Sequence, residues 1–90
     1  MVMLMKVLNK PVDMISYCSN SGSITPVKFK IKDSGETLTI KVDRIIDITK
    51  TKYAGKPIIC YTCETIINDI EKRYEVRFFP DTLQWVIYKM

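Results

Sequence analysis

Two runs of strictly alternating residues dominate the hydrophobic pattern of the chain. Val27-Lys28-Phe29-Lys30-Ile31-Lys32 and Thr37-Leu38-Thr39-Ile40-Lys41-Val42 place an apolar side chain at every second position, the period of a half-buried β-strand. Between them lies Asp33-Ser34-Gly35-Glu36, and a turn centred on Ser34-Gly35 brings the runs into register. Ile31 then faces Leu38, Phe29 faces Ile40 and Val27 faces Val42 on one side. On the other side Lys32 faces Thr37, Lys30 faces Thr39 and Lys28 faces Lys41. A slip of one residue would mix the two faces, so the agreement itself favours this pairing.

The C-terminal third follows the same logic with a weaker pattern. Ile66, Ile67, Ile70 and Tyr74 have helical spacing, but a hairpin turning at Asn68-Asp69 accounts for more residues. It sets Ile59 against Phe78, Tyr61 against Val76 and Cys63 against Tyr74, with Glu64 meeting Arg73 and Thr62 meeting Glu75 on the opposite face. The many β-branched residues between Ile58 and Ile67 support a strand. A further turn at Pro80-Asp81 pairs Phe78 with Leu83, Val76 with Trp85 and Tyr74 with Ile87, while Arg77 meets Gln84 and Glu75 meets Val86. A three-stranded meander from Ile58 to Tyr88 results, with Trp85 in the core.

The remaining stretches are less regular. Residues 1–10 read as a strand or a short helix, and Pro11–Tyr17 has strand composition without a clear inward face. Cys18–Ser23 is a polar loop of turn formers. The second strand of the central hairpin runs on through Asp47, and the Ile45-Ile46 doublet breaks its alternation as a bulge would. Thr49–Pro57 reads as a long basic loop. The pattern therefore predicts one all-β domain over residues 1–90 with its β core at 11–88. Its form is a small antiparallel meander of five to six strands, making a strongly curved sheet or a partly open barrel. The expected core is Val27, Phe29, Ile31, Leu38, Ile40, Val42, Tyr61, Tyr74, Val76, Phe78, Trp85 and Ile87.

Composition narrows the functional classes. The chain of 90 residues has no histidine, so the commonest general base and metal ligand is missing. Cys60-Tyr61-Thr62-Cys63 has C-x2-C spacing, but residues three apart on a strand point to opposite faces and could not share a metal. Asp43 and Asp47 would share a face on a regular strand, as a cation-binding or acid–base pair would, but carboxylates flanked by Arg44 and Lys41 are more often solvated charges. Gly22, Gly35 and Gly55 are isolated in turns, and nothing resembles a phosphate-cradling glycine loop. No enzyme, metal or cofactor is expected. An odd number of cysteines and no export signal suggest reduced thiols and a cytoplasmic setting, and the apolar N-terminus is too short to span a membrane.

Charge supplies the candidate binding residues. Fourteen basic residues against ten acidic ones give +4, consistent with an anionic partner. Lys28, Lys30, Lys32 and Lys41 share the outer face of the central hairpin, and Lys50 and Lys52 flank Tyr53 in the basic loop. Lysines could contact phosphates there and Tyr53 could stack on a base. The same lysines would also serve as a solvated coat that prevents edge-to-edge aggregation.

Pro11-Val12, Thr25-Pro26-Val27-Lys28-Phe29, Ile40-Lys41-Val42-Asp43, Arg73-Tyr74-Glu75-Val76-Arg77 and Trp85-Val86-Ile87 together resemble a group of short single-domain proteins of Gram-positive bacteria. These are distantly similar to a small domain encoded near Y-family DNA polymerase genes. The resemblance implies a β-rich accessory protein connected with DNA repair, and it carries no activity or site residue. Three functions follow as expectations. The first is a non-enzymatic module for a protein partner or self-association, with Val86 and Tyr88 offered outward. The second is direct nucleic-acid binding through the lysine face. The third is a small-ligand barrel, which requires an internal cavity.

Overall fold

The computed structural model describes residues 7–33 and 35–90, and every regular element in them is a β-strand. They are β1 (Val7–Cys18), β2 (Ile24–Asp33), β3 (Glu36–Lys41), β4 (Arg44–Tyr53), β5 (Lys56–Ile67), β6 (Ile70–Phe79) and β7 (Gln84–Lys89). The strand order is β3-β2-β1-β7-β6-β5-β4, and all six pairings are antiparallel. The all-β meander is as the sequence predicts, with seven strands in place of five or six. The expectation of a strand or helix over residues 1–10 falls outside the described residues for 1–6, and Val7–Lys10 is strand.

β1 is a corner strand. Its first half pairs with β7 (Lys10 with Ile87, Val12 with Trp85) and its second half with β2 (Asp13 with Lys30, Ile15 with Lys28). Register shifts mark both halves, and Asn9 takes a left-handed φ of 48° inside the first. Such bulges bend a strand and let it move from one neighbour to the next.

The junction of β3 and β4 is the second corner, and strand direction explains it. Counting outward from β1 through antiparallel neighbours in both senses, β3 and β4 run the same way. Parallel neighbours need a crossover of about a dozen residues or more, and only Val42-Asp43 separates these two. They therefore cannot lie side by side as a pair, and the sheet stays open between them. The chain leaves β2 and joins β5 within two residues: Val42 N donates to Val27 O at 2.9 Å, and Asp43 N donates to Glu64 O at 3.1 Å. The Asp43 carboxylate accepts from Ile66 N at 2.9 Å, and the Thr65 hydroxyl donates to Lys41 O at 2.7 Å. With its only proton committed to Lys41, Thr65 accepts the hydrogen bond from the Tyr74 hydroxyl.

The curled sheet buries Phe29, Ile31 and Ile40 from β2 and β3 against Tyr61, Cys63, Tyr74, Val76, Phe78, Trp85 and Ile87. Phe29 meets Tyr74 edge-on at 5.6 Å, and Trp85 packs on Phe78 and Tyr61 at 4.7 and 5.4 Å between ring centroids. The Tyr61 hydroxyl reaches across the interior to donate to Ile24 O.

Two hairpins have the registers the alternation predicts, residue for residue, from Lys28–Lys41 to Lys32–Thr37 and from Ile59–Phe78 to Glu64–Arg73. Asn68 and Asp69 supply the two positive φ values, 51° and 64°, of the predicted turn. Other expectations need correction. Thr49–Pro57 is a hairpin instead of a loop, with Tyr53 paired to Lys56 around Ala54-Gly55 (φ 53° and 79°). The central hairpin's second strand does not run on to Asp47 but ends at the corner, although the bulge at Ile46 is present in β4.

Pro80 does open a turn closed by Thr82 N to Phe79 O at 3.2 Å, but Leu83 extends the loop at φ 56°. The register therefore moves by two residues, pairing Phe78 with Trp85 and Val76 with Ile87, which preserves the faces and leaves Leu83 exposed. Val27, Leu38 and Val42 also pack less than expected. β1 skips Val27 at its bulge, Leu38 sits on the edge strand β3 at 45% exposure, and Val42 is only partly buried at the corner.

Ala54 holds a left-handed conformation that an L-residue without a local hydrogen-bonding side chain adopts at a cost of about 1 kcal/mol or more. Ala54→Asn, which suits the first position of this turn, should stabilise the fold by about 0.5–1 kcal/mol in urea unfolding. A neutral or destabilising result would contradict the turn geometry.

Candidate interaction surfaces

The sequence places Lys28, Lys30, Lys32 and Lys41 together, and so does the structure. All four are exposed on the outer face of β2 and β3, with Lys28 directly opposite Lys41. β1 adds to this face. Asp13 lies beside Lys30 and Ile15 beside Lys28, whereas Lys10, opposite the buried Ile87, is on the other side of β1 and donates from Nζ to the Lys32 backbone carbonyl. Ile15 and Tyr17 are exposed apolar residues on the same strand. The sequence hides their contribution because Val12 and Met14 fall on one alternating set of β1 and Ile15 and Tyr17 on the other, so hydropathy gives the strand no inward face.

Lys50, Lys52 and Tyr53 belong elsewhere, on β4 at the far end of the strand order. Alternation puts Lys50 and Lys52 on one side of that strand and Tyr53 on the other, so the lysines do not surround the ring. Tyr53 is 77% exposed at the tip of the β4–β5 hairpin.

β4 has a second property that no local pattern reveals. It is a ten-residue edge strand, hydrogen-bonded among the described residues to β5 alone. In an antiparallel hairpin closed by a two-residue turn, the pair flanking the turn exchanges both hydrogen bonds, and so does every second pair beyond it. Tyr53, Thr51 and Thr49 thus bond to Lys56, Ile58 and Cys60, whereas Lys52, Lys50 and Ile48 turn their backbone groups outward. Pro57, which has no N–H, stands opposite Lys52 at one of the positions where none is needed. Ile48 is opposite the buried Tyr61 and so on the core-facing side, yet it is 52% exposed because no strand covers it.

The outer face of β5–β7 is tied up internally. Glu64 is buried between Arg44 (3.0 Å) and Arg73 (3.4 Å), and Glu75 accepts from Arg77 Nε at 2.7 Å. The Arg77 guanidinium also lies 3.4 Å over the centre of the Tyr88 ring. Val86, expected to face outward for contacts, is buried between Pro11 on β1 and Arg77 on β6 because β7 is central. Every ion pair among the described residues uses an arginine.

Nothing among the described residues gathers three or more potential metal ligands. Asp43 binds the Ile66 amide and Asp47 accepts from Thr49 Oγ1 at 3.3 Å, so the two carboxylates serve different partners. Cys63 is in the core and Cys60 on the opposite face, as strand alternation requires. Two surface clefts, of about 400 Å³ beside Lys50, Ile59 and Pro80 and about 550 Å³ beside Pro11, Thr82 and Trp85, both open to solvent. Among the described residues no helix is long and apolar enough to cross a membrane.

Fold and surfaces together define a small, open, antiparallel β-domain with one basic face and one long free edge. No family model, curated protein or solved structure matches the chain.

Burial pushes the Cys63 thiol and the Tyr74 hydroxyl each up to about 12, from ordinary values of 9.0 and 10.0. The unfolded chain releases these protons first, so the stability they contribute is complete below pH 9.0 and falls as pH rises toward about 12. Denaturation midpoints should decline over that range, and less steeply in Tyr74→Phe. An identical slope in the variant would show that Tyr74 is not held neutral by the fold.

Proposed function

We propose that the protein is a non-enzymatic interaction module that engages a protein partner, as an accessory in a nucleic-acid-processing assembly. The observation that supports this most directly is β4, a long edge strand whose outward backbone groups have no partner within the described chain. Sheet edges of this kind join other chains by main-chain hydrogen bonding. The link to DNA repair rests on the resemblance alone. The test is cross-linking in cells, with a lysine-rich protein of matched charge as control, followed by calorimetry on the purified candidate. One or a few proteins should be retained selectively and bind with one-to-one stoichiometry. Capture of nothing beyond the control set would refute the reading.

A second reading is favoured by the four lysines gathered on the β2–β3 face beside Ile15 and Tyr17. This face would take a nucleic-acid backbone. Labelled DNA or RNA should then bind with a log–log salt slope of about −3 to −4, as four phosphate contacts imply. Lys28→Glu, Lys30→Glu and Lys41→Glu combined should abolish the anisotropy change. Binding that is unaffected by salt, or retained in the triple variant, would exclude this face.

A further inference from the structure

We infer that the free edge of β4 accepts an extended strand from a protein partner, running antiparallel to β4, with acidic residues opposite Lys50 and Lys52 and an apolar residue opposite Ile48. The inference rests on the interaction-module reading and specifies its partner.

Register and charge carry it. Ile48, Lys50 and Lys52 direct their backbone N–H and C=O groups away from β5, and their side chains share the core-facing side of the strand. An incoming strand that bonds to these three residues places its own facing side chains directly across from them. One of the three is a half-exposed isoleucine beside the buried Tyr61, so an apolar residue opposite it extends the core outward. The other two are lysines without an ion-pair partner among the described residues. The sequence holds no acidic residue between Asp47 and Glu64, while Lys50, Lys52 and Lys56 all fall in that interval.

The same charges decide between occupants. A second copy pairing β4 with β4 would bring Lys50 and Lys52 of both chains together on molecules that each carry +4. Like charges across a strand pair are unfavourable. The two lysines that repel another copy attract an acidic strand. Nothing else blunts the edge over its free positions, since β4 contains no proline and its bulge lies at Ile46, before them.

The probe is a capped, fluorescein-labelled peptide, Thr-Glu-Val-Glu-Val-Leu-Thr, read from its N-terminus. Its two glutamates meet Lys52 and Lys50, and its leucine meets Ile48. Three comparison peptides accompany it: one with lysine in place of both glutamates, one N-methylated at the glutamates and leucine, and one of scrambled order. Saturable binding by the first should weaken at least about tenfold in each of the others at low salt. Amide chemical-shift changes in the protein should centre on Ile48, Lys50 and Lys52. In the Lys50→Glu, Lys52→Glu double variant the preference should invert toward the lysine peptide.

Equal binding of all four peptides, no binding at millimolar concentration, or shifts centred away from β4 would overturn the assignment. These failures differ from that of the parent reading. A partner captured in cells and still bound by Lys50→Pro, which removes one outward N–H from the edge, would leave the module standing and the β4 site refuted.

Discussion

The two-residue corner at Val42-Asp43 is the constraint on which the architecture depends. Seven strands joined only by antiparallel pairing cannot close on themselves, because the two ends of the order point the same way. The chain resolves this by passing straight from one neighbour to another. Val42 finishes the ladder with β2 and Asp43 begins the one with β5, and a side chain from each flank secures the step. Asp43 holds the Ile66 amide, and Thr65 holds the Lys41 carbonyl while receiving the Tyr74 hydroxyl. Without these bonds, backbone groups at the bend would lack partners, a cost of about 1–3 kcal/mol for each one buried.

The corner divides the surface into regions with different chemistry. On its near side, β2 and β3 turn four lysines outward, and Phe29, Ile31 and Ile40 inward onto the aromatic cluster around Trp85. On its far side, β4 departs along β5 and keeps a free edge over most of its length. Between them the outer face of β5–β7 is closed by its own arginines, whose partners Glu64, Glu75 and Tyr88 leave little unpaired charge. The lysine face and the β4 edge are thus the two regions whose charges or backbone groups are not engaged within the described residues.

Legibility of these features in the sequence tracks how local their causes are. Hairpin registers at Ser34-Gly35 and Asn68-Asp69 follow from alternation on both strands and a turn that admits positive φ, so they could be counted off. β4 could not. Thr49-Lys50-Thr51-Lys52-Tyr53 alternates between two kinds of polar or amphipathic residue, because an edge strand covered by nothing needs no apolar stripe. Its strand character comes from pairing with β5. The loop after Phe79 misleads for another reason: proline fixes where the turn begins, but the left-handed Leu83 that lengthens it has no sequence signature. Val86 illustrates the same limit, since only the placement of β7 between β1 and β6 buries its outer face. For the surfaces, the grouping of Lys28, Lys30, Lys32 and Lys41 was readable from one hairpin. The separation of Lys50, Lys52 and Tyr53 from them depends on strand order, a non-local property.

Amide hydrogen exchange along β4, resolved residue by residue by NMR, tests the open-edge architecture most directly. If β5 is the sole neighbour of β4, Thr49, Thr51 and Tyr53 exchange slowly while Ile48, Lys50 and Lys52 exchange fast, an alternation with the period of the strand. Slow exchange at all six amides of the isolated protein would mean that another strand already occupies the edge, and the architecture described here would be wrong.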